Sequence, residues 1–111
     1  LTYAEGRVLS MHRRGASARA IRLKLRQKGV ADELVEEAVA GLSRVTPEPE
    51  LAAALRLAER RRLGPYRAAA ARPEAREKDL AALARAGFSY DTARRIIEAE
   101  SAEALAAEIA D

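Results

Sequence analysis

The sequence predicts an all-α protein of tandem three-helix units that form an elongated, curved helical array. The 111-residue chain contains one Phe, three Tyr and no Trp, so its core must consist mostly of Leu, Ile, Val and Ala. A third of the residues are charged, and there are only six Gly and four Pro, a composition that favours close-packed short helices over a sheet. Apolar residues also recur at three- and four-residue steps, which is the period of an amphipathic helix.

The clearest of these patterns is Leu80 to Ile97, where two apolar helix stripes meet at a glycine. Gly87 can adopt the left-handed conformation that reverses the chain after a helix. Phe88 is then expected to pack back on the preceding helix, and Ser89 to cap the next one. The stretch therefore predicts a helix, a tight turn and a second helix.

Charge alternates along the chain and indicates a duplicated unit. Residues 1–30, 31–59, 60–78 and 79–111 carry net charges of +7, −5, +5 and −4, so a basic segment is twice followed by an acidic one. The apolar skeleton is duplicated as well, with Gly29 matching Gly87, Leu25 matching Leu83, Val30 matching Phe88, Ala38 matching Ile96 and Val39 matching Ile97. The second copy is longer by nine residues, and we assign the insertion to PYRAAAARP, residues 65–73.

Each unit is expected to hold three helices. The predicted bounds are about 2–14, 17–28 and 32–43 in the first unit, then 49–63, 73–86 and 90–99 in the second, with a closing helix at 101–110. The predicted division is a three-helix unit at 1–45, a linker at 46–49 and a second unit with its closing helix at 50–111. Pro49 suits a first helical position, and Gly64-Pro65 should end the fourth helix.

Composition also constrains the compartment. The chain has no Cys, which excludes disulfides and thiolate sites, and a cytoplasmic protein is expected. No apolar run approaches the roughly 20 residues of a membrane span, and the charged start of the chain does not resemble a signal peptide. Because a helical pattern is already under way at Tyr3 without an initiating Met, we expect the sequence to be a fragment of a longer protein.

Catalytic chemistry has little support in this sequence. The single His, His12, could act as a general base, but a partly exposed His at a basic helix end is the expected interpretation, since no partner acid is nearby in sequence. No set of residues has metal-ligand spacing, and neither GxxxxGK[ST] nor GxGxxG occurs. We therefore predict a protein that is not an enzyme and that has no cofactor or metal.

Clustered basic residues are the remaining candidates for a functional site. The predicted partner- or DNA-binding residues are Arg13, Arg14, Arg22, Arg26, Lys28, Arg60, Arg61, Arg62, Arg67 and Arg72. Such residues can meet phosphates or an acidic protein surface, or they can form internal salt bridges to the acidic third helices. Tyr66 could stack on a base or pack internally. Leu23 is out of phase with the core stripe, and we expect it to pack against the neighbouring unit rather than to contact a partner.

Several segments resemble RecX, the family of bacterial regulators of the RecA recombinase, which are built from repeated three-helix units. The matching stretches are Tyr3 to Val30, the LVEEAV that follows, LAERRRLGPYR at 57–67 and EKDLAALARAGFSYDTARRII at 77–97. The last two are the most specific and resemble the end of RecX proteins. The family usually has three units, so the two present here resemble the middle and last ones.

The resemblance implies a monomeric, non-enzymatic modulator that docks in the groove of the RecA filament. There it would restrain ATP hydrolysis, strand exchange and filament extension, with possible direct contact to single-stranded DNA. An alternative from the charge pattern alone is a sequence-independent DNA-binding helical protein that acts without recombinase. A helical scaffold for some other protein is a third interpretation.

Overall fold

The computed structural model describes residues 2–110 and is helical throughout, with no strand among those residues. The α-helices are α1 (Tyr3–Arg13), α2 (Ala18–Gln27), α3 (Asp32–Ala40), α4 (Leu42–Val45), α5 (Pro49–Arg61), α6 (Arg72–Arg85), α7 (Tyr90–Ile97) and α8 (Ala102–Ala110). Two 3₁₀ turns follow α5: Gly64–Tyr66 begins one residue before the predicted insertion at 65–73, and Ala69–Ala71 lies within it. The all-α prediction is confirmed, and none of the described helices is long and apolar enough to cross a membrane.

Local signals in the sequence define the helix ends. Ser17 and Ser89 cap α2 and α7, each accepting a hydrogen bond from a backbone N–H of the first turn. Pro49 lies in the first turn of α5, as its fixed φ angle favours. The predicted third helix is interrupted at Gly41, and α4 begins at the next residue. At this break the Arg44 N–H donates to the Gly41 carbonyl, three residues earlier in the chain instead of four.

The first apolar cluster lies between α1, α2 and α3. Its fully buried side chains are Val8, Ile21, Leu25 and Val35, all at most 1% exposed. Ile21 and Leu25 are four residues apart and therefore lie on the same face of α2. Burying such a side chain stabilises the fold by roughly 2 kcal/mol, so a few residues per helix hold this small core together.

The second cluster lies between α5, α6, α7 and α8. Leu83 and Ile96 are fully buried in it, and Phe88 is 4% exposed where it packs back on α6, as predicted. Helix α8 contributes Leu105 and Ile109, so the closing helix covers this core. Its length and apolar stripe agree with the predicted closing helix at 101–110.

The two clusters fall on either side of the segment 46–48, which is not helical. Direct contact between α1 and α5 joins them, and the molecule measures 46 × 28 × 20 Å along its principal axes. An elongated helical array is thus observed. The assignment of 1–45 and 50–111 to the family's middle and last repeats stays a prediction.

Leu23 contradicts its expected interpretation. Its side chain is 59% exposed and does not pack against the second unit. The helical phase places it opposite Ile21 and Leu25, and it belongs to neither apolar cluster. An exposed leucine on a basic helix is consequently available for contact with another molecule.

Candidate partner-binding surface

The turn between α1 and α2 forms the contact between the two units. Gly15 in this turn is buried, and its φ angle of +92° is one that residues with a side chain rarely adopt. A Cβ atom at this position would lie 2.8 Å from the backbone nitrogen of Leu57 in α5. The glycine therefore allows the two backbones to approach directly, and the end of α1 is brought beside α5.

His12, near the end of α1, forms hydrogen bonds to two residues of α5, Pro49 and Arg56. Its Nε2 donates a hydrogen bond to the Pro49 carbonyl at 2.8 Å, and Arg56 donates to His12 Nδ1 at 3.2 Å. This pattern requires the neutral tautomer with its proton on Nε2. His12 is only 4% exposed, so the expectation of a partly exposed histidine is wrong; the residue is part of the junction.

Burial lowers the pKa of His12. The Pro49 carbonyl, which favours the protonated ring, and Glu50 oppose this change, while the positive charge of Arg56 adds to it. The net direction is downward, which keeps the ring neutral and able to accept from Arg56. The two hydrogen bonds of the His12 ring are therefore compatible with neutral pH.

A second set of contacts joins α2 to the second unit. The Ser17 hydroxyl donates to the Ala86 carbonyl at 2.8 Å while it caps its own helix, and the Ala18 N–H donates to a Glu50 carboxylate oxygen at 2.9 Å. Gly87 lies so close that a Cβ there would approach the Ser17 Oγ to 2.5 Å. The predicted turn at Gly87 therefore has a second role, because it docks on the first unit.

A cleft of about 320 Å³ opens at this junction. It is lined by Met11, Arg14, Gly15, Ala16, Ala20, Leu57, Arg60 and Ala86. Its charged lining residues are two arginines, one from each unit, and its floor is apolar. No acidic side chain lines it. The basic ends of α1 and α5, separated by some 46 residues in sequence, meet here.

Two further arginines belong to segments that line the cleft, next to Ala20 and Ala86 in the chain. The Arg19 Cβ would be 3.4 Å from a Cβ on Gly87, and Arg85 precedes that glycine by two residues. Both are exposed, and within residues 2–110 neither forms an ion pair. We use the name junction surface for the cleft together with Arg14, Arg19, Arg60 and Arg85. It is a basic surface to which both units contribute.

Arg22 and Arg26 are engaged inside the first unit. The Arg22 Nε lies 2.9 Å from a Glu36 oxygen, and Arg26 bonds both Asp32 and Glu36 at 3.0 and 3.1 Å. These pairs join α2 to α3 on a solvated face, where each contributes little to stability. The internal salt bridges considered from the sequence therefore occur here.

Arg67 and Arg72 have structural contacts in the second unit. Arg67 makes a two-pronged contact with Asp79, with nitrogen–oxygen distances of 2.7 and 2.8 Å. Arg72 donates to the backbone carbonyls of Pro65, Arg67 and Glu100. The guanidinium groups of both residues thus order the inserted segment between α5 and α6.

Asp79 holds the GPYR segment, residues 64–67, in place through hydrogen bonds to its first and last residues. Its side chain is 1% exposed, and it accepts from Arg67 and from the Gly64 N–H at 2.8 Å. Burial raises the pKa of Asp79, but these donors together outweigh burial and lower it. The LGPYR pattern that carried much of the family resemblance therefore encodes a fold-stabilising contact.

The other predicted residues remain exposed. Arg13, Lys28, Arg60, Arg61 and Arg62 form no ion pair within residues 2–110, and Arg14 donates only to the Ser10 hydroxyl at 3.0 Å. Arg62 ends α5 in the left-handed region, with φ +59°, a conformation that glycine adopts at lower cost. This conformation lets the Arg62 N–H bond to the Glu59 carbonyl and the Leu63 N–H to the Ala58 carbonyl, so it belongs to the end of the helix.

Sequence reasoning did not select Arg85 or the junction residue Ser17. Arg85 lies in residues 79–111, whose net charge is negative, so a count of charge by segment does not select it. The one local feature that points to it is its position two residues before the turn at Gly87. Ser17 shows in sequence only as a helix cap. Within residues 2–110 no group of three or more His, Cys, Asp or Glu side chains is arranged to hold a metal ion.

Comparison with known proteins shows which proteins this chain is similar to. Residues 1–39 match the family model described as "RecX, second three-helix domain". The chain is 43% identical over 101 residues to the regulatory protein RecX of Myxococcus xanthus strain DK1622, a match that covers 90% of this chain and 53% of that protein. It is 36% identical over 102 residues to the regulatory protein RecX of Agrobacterium fabrum strain C58, covering 92% of this chain and 52% of that protein.

The chain is therefore a relative of the RecX regulatory proteins over most of its length, and the resemblance found in the sequence is confirmed. It spans about half the length of the curated relatives that it matches. No solved structure matches it.

Proposed function

We propose that the protein is a non-enzymatic modulator of a RecA-type recombinase filament. It docks in the filament groove and restrains ATP hydrolysis, strand exchange and filament extension during DNA repair and recombination. The proposal includes action as a monomer in the cytoplasm, where its partner works on DNA. Its relationship to RecX regulatory proteins is the starting point, since the name of those proteins denotes regulation.

The observation that carries the proposal is the junction surface. Arginines of two units converge on one cleft, and they are free of the acidic residues that occupy Arg22, Arg26 and Arg67. A surface that spans two units of a 46 Å molecule can follow a groove and contact more than one subunit of a filament. A cleft with two arginines, an apolar floor and no nucleophile or acid serves recognition better than catalysis.

The test measures ATP hydrolysis by RecA filaments on circular single-stranded DNA, with the complete gene product added. We expect hydrolysis to slow, and we expect Arg14→Glu with Arg60→Glu to shift the inhibitory concentration upward by at least tenfold, because two cleft cations become anions. Arg44→Glu with Lys78→Glu changes the net charge equally at exposed positions outside the cleft. That control should keep the wild-type dose response.

Undiminished hydrolysis at stoichiometric excess of the wild-type protein would refute the proposal. Equal effects of the two charge-reversal pairs would show that net charge, and not the junction surface, governs inhibition. The alternative of a DNA-binding protein that needs no recombinase stays a prediction. It requires a shift of naked oligonucleotides at low salt and a steep loss of affinity as salt increases.

A further inference from the structure

An exposed apolar side chain lies beside the basic cleft. Leu23 is on α2, three residues beyond Ala20, which lines the cleft, and four beyond Arg19. Side chains at these spacings share one helix face and lie about 5–6 Å apart. Leu23 therefore extends the junction surface by one helical turn.

The surface consequently combines two kinds of recognition. Arg14 and Arg60 supply positive charge. Leu23 and the apolar floor of the cleft supply apolar surface, whose burial from water favours binding. Arginines around a desolvated apolar centre are typical of protein interfaces, where the arginine fork pairs with carboxylates. No charged residue of opposite sign lines the cleft to satisfy these arginines internally.

A nucleic-acid backbone fits this surface less well. Phosphates would satisfy the arginines, but a phosphodiester chain offers no apolar partner to Leu23. Binders of single strands add aromatic side chains on which bases stack, and no Tyr or Phe lines the cleft. Tyr3 and Tyr90, the exposed aromatics among the described residues, belong to other parts of the molecule.

We propose that the junction surface receives an acidic protein segment that carries at least one apolar side chain, with carboxylates at Arg14 and Arg60 and the apolar side chain against Leu23. This assignment rests on the proposed function, because it specifies the chemistry that the modulator recognises on its partner. It adds Leu23 to the site and makes the contact one between proteins.

The chain offers a matched pair of leucines for the test. Leu23 and Leu34 are 59% and 54% exposed, and Leu34 lies on α3, away from the cleft. The variants Leu23→Ala and Leu34→Ala therefore remove apolar groups of similar exposure, and neither residue belongs to a buried core cluster. Circular dichroism should give the wild-type helical content for both.

Fluorescence anisotropy with two probes separates the possible ligands. The first probe is a labelled peptide of alternating Glu and Leu, and the second is a labelled 20-nucleotide single strand, both titrated with the 111-residue chain. We expect Leu23→Ala to weaken peptide binding at least fivefold and to leave oligonucleotide binding unchanged, whereas Leu34→Ala changes neither. Amide shifts in NMR titrations with the peptide should cluster at Gly15, Ala20, Leu23 and Ala86.

Three results would overturn the inference: an unaltered peptide affinity for Leu23→Ala, equal losses for the two leucine variants, or tighter wild-type binding to the oligonucleotide than to the peptide at 150 mM salt. Filament ATPase measurements then separate this inference from the proposed function. If wild-type protein inhibits the filament and Leu23→Ala inhibits it equally well, the modulator role stands and the leucine contact falls. If peptide recognition depends on Leu23 but filaments are not inhibited, the surface chemistry stands and the recombinase role falls.

Discussion

At the scale of single residues, the pair formed by Arg67 and the buried Asp79 gives the sharpest expectation. Replacing Asp79 with Ala removes both hydrogen bonds that Arg67 donates to it and leaves the Gly64 N–H without its acceptor. Because the buried Gly64 N–H would be left without a partner, we expect a loss of about 2 kcal/mol in the free energy of unfolding. Urea denaturation measures this value.

Glu77 provides the control for this prediction on the same helix. Its carboxylate pairs with Arg76, but its side chain is 86% exposed. A solvated ion pair contributes little to stability, so Glu77→Ala should be nearly neutral. Similar losses for Asp79→Ala and Glu77→Ala would contradict the structural role of the buried acid.

His12 predicts how stability depends on pH. Since burial lowers its pKa in the folded state, the unfolded chain binds the proton more readily near its usual pKa of about 6.5. The contribution of His12 is therefore fully present above that value and is lost as pH falls through it toward the folded pKa. Thermal melts between pH 7.5 and 5 should show decreasing stability.

His12→Gln separates this effect from other titrations. The glutamine amide can still donate to the Pro49 carbonyl, but it does not titrate in this range. The stability difference between wild type and His12→Gln should accordingly shift in favour of the variant as the pH decreases. A difference that stays constant over the range would exclude His12 as the titrating group.

At the scale of helices and turns, local pattern was a reliable guide. The predicted cap at Ser89, the predicted helix start at Pro49, the reversal at Gly87 and the return of Phe88 all occur, because each depends on neighbours within a few residues. The break at Gly41 was not predicted, since one glycine in an otherwise helical pattern can be accommodated or can end a helix. Leu23 was assigned wrongly because helical phase tells which face a residue occupies, and not whether another element covers that face.

The duplicated turns at Gly29 and Gly87 provide a matched test at this scale. Both glycines have left-handed backbone, with φ of +84° and +100°. A Cβ on Gly29 would meet nothing within 4 Å, whereas one on Gly87 would collide with the buried Ser17 hydroxyl. Gly29→Ala should therefore cost about 1 kcal/mol from backbone strain alone.

Gly87→Ala carries the same strain together with the collision, for which we expect about 2 kcal/mol more. Chemical denaturation of the two variants side by side measures the difference. Equal losses would mean that the second unit does not dock on Ser17 in solution.

At the scale of the whole molecule, the junction surface exists only if the two units keep their relative position. Gly15→Ala places a Cβ 2.8 Å from the Leu57 backbone and should force the units apart without removing a charge. We expect this variant to retain helical circular dichroism but to lose most of its inhibition of filament ATPase. Gly29→Ala has similar backbone strain without the collision and should inhibit normally.

An inhibitory Gly15→Ala variant would show that each unit recognises the partner separately. Small-angle scattering provides the independent structural readout for the same samples. A larger radius of gyration is expected for Gly15→Ala, whereas Gly29→Ala should retain the wild-type arrangement, whose Cα radius of gyration is 14.4 Å.

Ten basic residues were predicted as a binding site from charge and clustering. The tertiary structure separates those with internal bonds from those without. Six form no ion pair within residues 2–110, whereas Arg22, Arg26, Arg67 and Arg72 bond to acids or backbone carbonyls of neighbouring segments. Asp79 is twelve residues from Arg67, and Glu36 is fourteen from Arg22. No periodic pattern links residues at such separations, so sequence alone could not tell the engaged arginines from the free ones.

The sequence by itself determined the helices, their apolar faces, the duplicated turn and the likeness to RecX proteins, because these depend on residue types at short spacing. Tertiary structure alone decided that Gly15, His12 and Ser17 hold the two units together and that Arg14 and Arg60 line one cleft. The physical reason is that a junction depends on close approach between backbones far apart in the chain. Such an approach is fixed by how the two cores pack, and neither core's own pattern contains it.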